Sequence, residues 1–202
     1  SVRSITIPWE ASGQSMRVID DNLQAVRGRI ARAAAAVGRD PSTVTLLAVS
    51  KTHTAAAVAQ ALAAGQRVFG ENYVQEAVEK MDALAGKVGK ERTSALEWHL
   101  IGPLQSNKTR LVAERFDWVH TIGSEKIARR LAEQRPAGIA PLNVLIQVNV
   151  SGEASKSGVS PGDVGLLAAA VAALRRLKLR GLMAVPEPTA DLLLQKSRFS
   201  EL

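Results

Sequence analysis

The stretch Thr43–His53, TVTLLAVSKTH, decides how the rest of the chain folds. From Val44 to Val49 it is mostly apolar and β-branched, and polar residues follow at once. This pattern is typical of a strand that is buried on both faces. Lys51 follows at the carboxyl end of the predicted strand, on the same face as Val49 because side chains alternate along a strand. Barrels and open sheets of parallel strands bind their ligands at that end.

Two interpretations of Lys51 follow from this position. Desolvation disfavours the ammonium form of a lysine, and a neutral amine can attack an aldehyde to form a Schiff base. Alternatively, Lys51 is a residue just outside a strand that is solvated or paired with a carboxylate, since charged residues are mostly exposed. The spacing alone leaves both interpretations open.

The rest of the chain alternates between predicted helices and strands. A first helix is expected over Met16–Val37, where apolar residues recur at helical spacing and Gly38 follows as a stop signal. Later helices are expected over Thr54–Ala64, Asn72–Ala85, Gln105–Arg115, Ser124–Gln134, Ser160–Arg176 and Asp191–Leu202. Strands are expected over Arg67–Gly70, Glu97–Gly102, Trp118–Ile122, Asn143–Val150 and Leu179–Val185. Such alternation implies right-handed crossovers and a parallel sheet.

The predicted fold class is therefore α/β, with about six βα units. A (β/α)8 TIM-type barrel needs eight strands to close, so this chain is two strands short by our count. It forms either an open doubly wound sheet or a barrel that is truncated after about six units. No GxGxxG motif follows the first strand, which argues against a dinucleotide-binding fold.

Composition excludes several classes of site. The 202 residues include no cysteine, which rules out disulfides, thiolate metal sites and cysteine nucleophiles. The three histidines are far apart in sequence, and we expect no metal site. The net charge of +7 permits binding to polyanions. However, the basic residues are scattered, and no basic tail is interleaved with aromatics, so we expect no nucleic-acid partner.

No apolar run is long enough to cross a membrane. Residues 1–15 lack the apolar core of a signal peptide, and we interpret them as a flexible N-terminal extension. Residues 16–202 are then expected to form a single domain. These features predict a cytoplasmic protein without a membrane partner.

Polar side chains collect near the predicted strand ends. Asn72 follows the second strand, where it either caps the next helix or reaches a ligand. His99 lies within the third strand, as a satisfied core histidine or as a ligand contact. In the fifth strand, Gln147 and Asn149 share the face opposite Val148, and buried amides need partners. The polar loop Ser151–Gly158 that follows is a weak candidate for binding phosphate.

Five motifs in register resemble one known family. They are AVSKTH (48–53), FGENYVQE (69–76), WHLIGPLQSNK (98–108), VNVSGEASKSG (148–158) and GLMAVP (181–186). In this order they closely resemble the pyridoxal 5′-phosphate homeostasis proteins, the YggS/PROSC-like family. The resemblance extends over about Val18 to Pro188.

The resemblance implies the fold-type III barrel of the N-terminal domain of alanine racemase. It also implies pyridoxal 5′-phosphate (PLP) held as a Schiff base on the lysine that aligns with Lys51. The family's accepted role is to bind, buffer and deliver this cofactor for vitamin B6 homeostasis, with no catalytic residues, so PLP-dependent apoenzymes are the implied partners. Asn72, His99, Asn149 and Met183 become candidate cofactor-binding residues by their positions within the motifs.

The resemblance also marks a departure and an alternative function. Family members continue with a Ser- and Gly-containing segment and a later Arg-Ile-Gly stretch that hold the phosphate, and neither occurs before Leu202. They match the two strands missing from our count, strands 7 and 8. We expect a monomer or weak dimer. The alternative function is a PLP-dependent, racemase-like enzyme, which needs a second acid or base on the opposite face of the ring.

Overall fold

The computed structural model describes residues 16–150, 157–185, 189–200 and 202. For residues 16 and 17 it describes the backbone only. The predicted extension over residues 1–15 and most of the Ser151–Gly158 loop lie outside the described residues. The chain forms two compact units. The first takes in the chain up to Glu71 together with Gln75–Glu97, and the second takes in Asn72–Val74 and the chain from Trp98 onward.

Helices and strands alternate along the chain, which confirms the predicted α/β class. The helices are α1 Met16–Ala35, α2 Ala55–Ala63, α3 Val74–Val88, α4 Lys90–Thr93, α5 Thr109–Arg115, α6 Glu125–Gln134, α7 Val164–Ala172 and α8 Leu192–Ser200. The strands are β1 Ala48–Val49, β2 Val68–Glu71, β3 Glu97–Leu100, β4 Trp118–Ile122, β5 Leu142–Gln147 and β6 Leu177–Met183.

Most boundaries agree with the sequence-based expectations, and the exceptions have local causes. The predicted helix from Ser160 begins as a 3-10 turn over Pro161–Asp163, and α7 ends at Ala172 rather than near Arg176. Strand β6 consequently begins two residues earlier than expected, at Leu177. Helix α3 starts at Val74, so Asn72 is not the residue directly before the helix. The four-residue helix α4 was not predicted.

The first strand, predicted over Val44–Val49 and buried on both faces, is shorter and less buried than expected. Only Ala48 and Val49 pair as a strand, and both are half-buried. Before this strand, the carbonyl of Leu46 accepts a hydrogen bond from the side-chain amide of Gln66 at 2.8 Å. A side chain thus takes the place of a backbone donor beside the start of β1.

In the first unit, β1 pairs in parallel with β2, with Ala48 opposite Phe69 and Val49 opposite Gly70. The core packs the inner faces of the helices against these two strands. Its buried apolar side chains include Val26, Leu47, Val58, Leu62, Phe69, Ala77, Met81 and Leu84. Helix α2 begins at a side-chain cap, since the Thr54 hydroxyl accepts a hydrogen bond from the Ala57 N–H, as expected from sequence.

In the second unit, four parallel strands pair in the order β3, β4, β5, β6. The fifth strand spans Leu142–Gln147 and not the expected Asn143–Val150, and its register against β6 shifts between Val144 and Leu145. Val144, Ile146, Val148 and Val150 are buried and Gln147 and Asn149 are half-buried, as the predicted alternation requires, but Leu145 is buried as well. A buried arginine, Arg135, closes the loop before β5 by donating to the carbonyls of Ala113, Phe116 and Ala140.

Candidate functional site

Lys51 lies directly after β1, in the tight turn Ser50–His53 of the first unit. The His53 N–H donates to the Ser50 carbonyl at 3.0 Å and closes the turn. Thr52 has a φ of 64°, the left-handed conformation that the third residue of a type II turn requires. Glycine or asparagine usually occupies this position, so a β-branched threonine is strained there.

The side chain of Lys51 is half-buried, and its amine makes no ion pair or hydrogen bond with the part of the chain that the structure describes. The carboxylate partner that the second sequence interpretation allowed is therefore not present among these residues. Lys51 instead lines a cavity of about 580 Å³. A volume of this order is typical of small-molecule sites.

The cavity belongs wholly to the first unit, between α1, the segment Leu46–His53 and α2. Its walls are mostly apolar, and the basic residues that line it are Arg29, Lys51 and His53. Apolar walls with a few polar groups suit a flat ring that carries charged substituents. An amine that has no internal partner and borders such a cavity is available to an aldehyde.

A buried charged cluster packs beneath the turn. Lys80 on α3 is the centre of the cluster, and its ammonium group donates to three oxygens. These are the Ser50 carbonyl at 2.6 Å, Glu71 Oε1 at 2.7 Å and Glu76 Oε1 at 3.1 Å. Because an ammonium has three N–H donors, all of them are used.

The two carboxylates of this cluster also bind the turn. The Ser50 hydroxyl donates to Glu71 Oε1 at 2.6 Å, and the Thr52 N–H donates to Glu76 Oε1 at 2.8 Å. The side chain of Glu71 is fully buried, and its second oxygen, Oε2, has no hydrogen-bond partner. Sequence reasoning assigned no role to Glu71, Glu76 or Lys80.

Partial burial would raise the pKa of Glu76, but the hydrogen bonds from Lys80 and the Thr52 N–H outweigh this effect and hold that pKa below its ordinary value. A carboxylate whose pKa is lowered by folding stabilises the folded state above its unfolded pKa. That contribution is lost as the pH falls through the folded pKa.

His99, the predicted site residue on β3, is buried in the second unit and contacts two aromatic side chains of β4. Its Nδ1 lies 2.8 Å from Nε2 of His120, and its ring stacks on Trp118 with centroids 5.1 Å apart. The guanidinium of Arg180 lies over the ring of Trp118, 5.7 Å from its centroid. These contacts are those expected of a core histidine, and the role of His99 as a ligand contact stays a prediction.

Asn149 and Met183 lie at or just beyond the carboxyl ends of two adjacent strands, since Met183 ends β6 and Asn149 follows the end of β5 by two residues. Gln147 pairs with Met183, and the Met183 carbonyl accepts from the Val148 N–H at 2.8 Å. The Asn149 N–H donates to the carbonyl of Val159. Both Asn149 and Met183 are half-buried.

Asn72, in the segment before α3, is held by close packing against Gly102. A Cβ atom at Gly102 would lie 2.3 Å from the Asn72 carbonyl oxygen and 2.6 Å from its Cα. Only glycine allows this approach, because the atoms it meets are backbone. The Gly102 carbonyl in turn accepts a hydrogen bond from the Thr121 hydroxyl at 2.9 Å, which fixes the other side of the contact.

Gly102→Ala is therefore expected to destabilise the protein by about 1–3 kcal/mol, because overpacking forces the backbone to shift. Urea unfolding of the purified variant measures this change. The matched control is Gly123→Ala, since a Cβ at Gly123 meets nothing within 4 Å. Equal unfolding midpoints for the two variants would contradict the packing argument.

Among the described residues, no group of three or more histidine, aspartate or glutamate side chains is placed to hold a metal ion. None of the helices in this part of the chain is long and apolar enough to cross a membrane.

Comparison with known proteins places this geometry among relatives. The sequence model of the family described as alanine racemase, N-terminal domain, matches residues 22–195. A pyridoxal phosphate homeostasis protein from Pseudomonas aeruginosa is 58% identical over 187 residues, which cover 93% of this chain and 78% of that protein.

Solved structures agree with the sequence comparison. A protein of unknown function from Bifidobacterium adolescentis superposes with a TM-score of 0.83 at 34% identity, over 93% of this chain and 77% of that one. PipY of Synechococcus elongatus, with PLP bound, gives a TM-score of 0.69 at 34% identity, over 85% of this chain and 77% of that one. These similarities confirm the predicted α/β fold of the alanine racemase N-terminal barrel type.

Proposed function

This chain belongs to the family of pyridoxal phosphate homeostasis proteins, and we propose that it binds pyridoxal 5′-phosphate for vitamin B6 homeostasis. In this proposal the cofactor is held as a Schiff base on Lys51, without catalytic turnover. One observation carries the proposal: Lys51 is half-buried and borders a cavity of about 580 Å³, and its amine makes no hydrogen bond or ion pair with the described residues. The PLP-bound structure of the relative PipY supports the choice of cofactor.

The residues present fit this group. When bound, pyridoxal phosphate supplies an aldehyde that reacts reversibly with a lysine amine. Lys51 offers that amine at the carboxyl end of β1, where α/β folds bind their ligands. The turn that carries Lys51 is closed by the hydrogen bond from the His53 N–H to the Ser50 carbonyl, which fixes the backbone from which the side chain extends.

Asn72, His99, Asn149 and Met183 complete the proposed cofactor-binding set. The positions of Asn149 and Met183 at or just beyond two adjacent strand ends support their inclusion. The close contact with Gly102 gives Asn72 a defined position, as a binding residue needs. His99 is the weakest member on physical grounds, because its hydrogen bond to His120 already satisfies one ring nitrogen.

The domain proposal is that residues 16–202 form a single PLP-binding barrel domain. The uninterrupted match of the family model over residues 22–195 supports a single domain. The proposed partners are pyridoxal phosphate and PLP-dependent apoenzymes, with the protein in the cytoplasm as a monomer or weak dimer.

Nucleic acid and membranes are not among the proposed partners. The densest basic segment, Arg175–Arg180, is partly committed to intramolecular contacts. Arg176 donates to the carbonyls of Pro136 and Ile139, and Arg180 lies over Trp118. A polyanion-binding face would leave such cations free for phosphates.

A racemase-like enzyme is the alternative function. It is motivated by the match of residues 22–195 to the model of the alanine racemase N-terminal domain. Racemisation needs a second acid or base opposite Lys51. Tyr73, the only tyrosine, is 60% exposed, which is a poor environment for a catalytic base. Sustained racemisation of alanine that depends on Lys51 would establish this alternative over the carrier function.

The direct test is to add pyridoxal phosphate to the purified protein, follow its visible absorbance, reduce with borohydride and map the adduct by mass spectrometry. We expect one pyridoxyl group per chain, on Lys51. Label spread over several exposed lysines, or no label, would refute the proposed function.

A further inference from the structure

Both peptide groups that flank Lys51 are held by a single buried cluster. The carbonyl of the Ser50–Lys51 peptide accepts from Lys80 Nζ at 2.6 Å. The N–H of the Lys51–Thr52 peptide donates to Glu76 Oε1 at 2.8 Å. Lys80 and Glu76 also contact each other at 3.1 Å, so the two attachments form one connected unit.

The turn needs such support because its backbone is strained. Thr52 has a φ of 64°, and a non-glycine residue in this region costs on the order of 1–3 kcal/mol. Strain of this kind persists only where surrounding contacts over-determine the conformation. The hydrogen bond to Glu76 is made by the N–H of this strained residue, and the Ser50 carbonyl, bound by Lys80, also accepts the bond that closes the turn.

Stability alone does not account for the cluster. Buried ion pairs are weak contributors to stability, and apolar residues of similar volume often replace them without loss. Lys80 occupies the buried stripe of α3 with Ala77, Met81 and Leu84, where an apolar side chain would pack. What an apolar side chain could not do is bind the Ser50 carbonyl and orient Glu76 toward the Thr52 N–H.

We propose that Lys80, Glu71 and Glu76 form a clamp on the Lys51 turn, and that Lys80 and Glu76 are positioning residues for the cofactor-binding lysine. Glu71 completes the clamp by accepting from both Lys80 and the Ser50 hydroxyl. This inference rests on the proposed function of Lys51. The clamp holds the Lys51 backbone in one conformation before any ligand arrives, so the Cα–Cβ bond from which the lysine side chain extends has a fixed direction.

Glu76 is the residue through which the clamp can be tested without unfolding the protein, since its side chain is 37% exposed. Glu76→Ala removes the acceptor of the Thr52 N–H. Glu76→Gln retains a side-chain oxygen at the same distance from the backbone and is the conservative rescue. Glu79→Ala, which removes an exposed carboxylate from the same helix, is the matched control.

Two readouts are compared across these variants. The first is the hydrogen-exchange rate of the Thr52 amide, measured by NMR in the unliganded protein. The second is the rate at which pyridoxal phosphate forms a borohydride-reducible adduct on Lys51. We expect Glu76→Ala to raise the first and lower the second by about tenfold each, because small misplacements of a reacting group are costly in rate. Glu76→Gln and Glu79→Ala should stay within about twofold of wild type.

Each other outcome overturns a defined part of the argument. Unchanged exchange of the Thr52 amide in Glu76→Ala would show that no clamp exists. Faster exchange with an unchanged adduct rate would overturn the positioning role and leave the proposed function standing. A wild-type protein that forms no adduct on Lys51 would overturn the proposed function and this inference with it.

Discussion

Replacing Lys51 by alanine is expected to remove the reduced pyridoxyl adduct from position 51 and to slow total cofactor uptake by at least about tenfold. The reason is that Lys51 is half-buried beside the cavity of the first unit, and its amine has no hydrogen-bond or ion-pair partner among the described residues. Other lysines of the chain that react must do so without this preset geometry. A tenfold slower rate corresponds to a barrier higher by about 1.4 kcal/mol.

The measurement is the rate of adduct formation after a borohydride quench, followed by peptide mapping. Lys87→Ala is the matched control, because it removes an exposed lysine in the last turn of α3. We expect it to take up the cofactor at the wild-type rate. Wild-type uptake by Lys51→Ala, with a single adduct at another lysine, would show that the reactive amine was assigned to the wrong residue.

Local signals account for how much of the fold could be predicted. Strand β4 was predicted at its observed bounds, because Asp117 and Gly123 flank a run of aromatic and β-branched residues over Trp118–Ile122. The start of α2 followed from the capping propensity of Thr54, which the structure confirms. The hydrogen bond that the Leu46 carbonyl accepts before β1 could not be predicted, since its donor is the side chain of Gln66, 20 residues away.

The site shows the same division between local and tertiary information. Lys51 could be found because its signal, a lysine at the end of an apolar strand, is local. The pairing of His99 with His120 depends on the register of β3 against β4, which periodicity does not specify. The positive φ of Thr52 could not be predicted, because this conformation is usually adopted by glycine or asparagine.

The burial of Lys80 can be predicted from its position in the helix, but its main partner depends on tertiary packing. A lysine that falls in the same helical stripe as Ala77, Met81 and Leu84 should be buried, and a buried lysine needs a counter-ion. Glu76, four residues earlier, was one visible candidate. The fully buried Glu71, the other partner, precedes the helix and becomes a neighbour only when β2 and α3 pack together.

Lys80→Met is accordingly expected to destabilise the protein by about 3–5 kcal/mol, because it leaves the buried carboxylate of Glu71 without its cation. In a chain of this size such a loss lowers the melting temperature by about 10 °C. Thermal and urea unfolding of the unliganded protein measure it. The methionine fills a similar volume, so the loss reports charge and hydrogen bonds and not a cavity.

The double variant Lys80→Met/Glu71→Gln separates charge from packing. Removing both buried charges should recover most of the loss, to within about 1–2 kcal/mol of wild type, because no buried ion then lacks a partner. If the double variant is as unstable as Lys80→Met, the cost lies in packing and the buried pair was misjudged. If it recovers stability but not the wild-type rate of adduct formation on Lys51, the cluster is retained for positioning. If the ion pair served stability alone, the double variant would recover both the stability and the rate of adduct formation. The two measurements together therefore distinguish a stabilising role of the buried Lys80 from a positioning role.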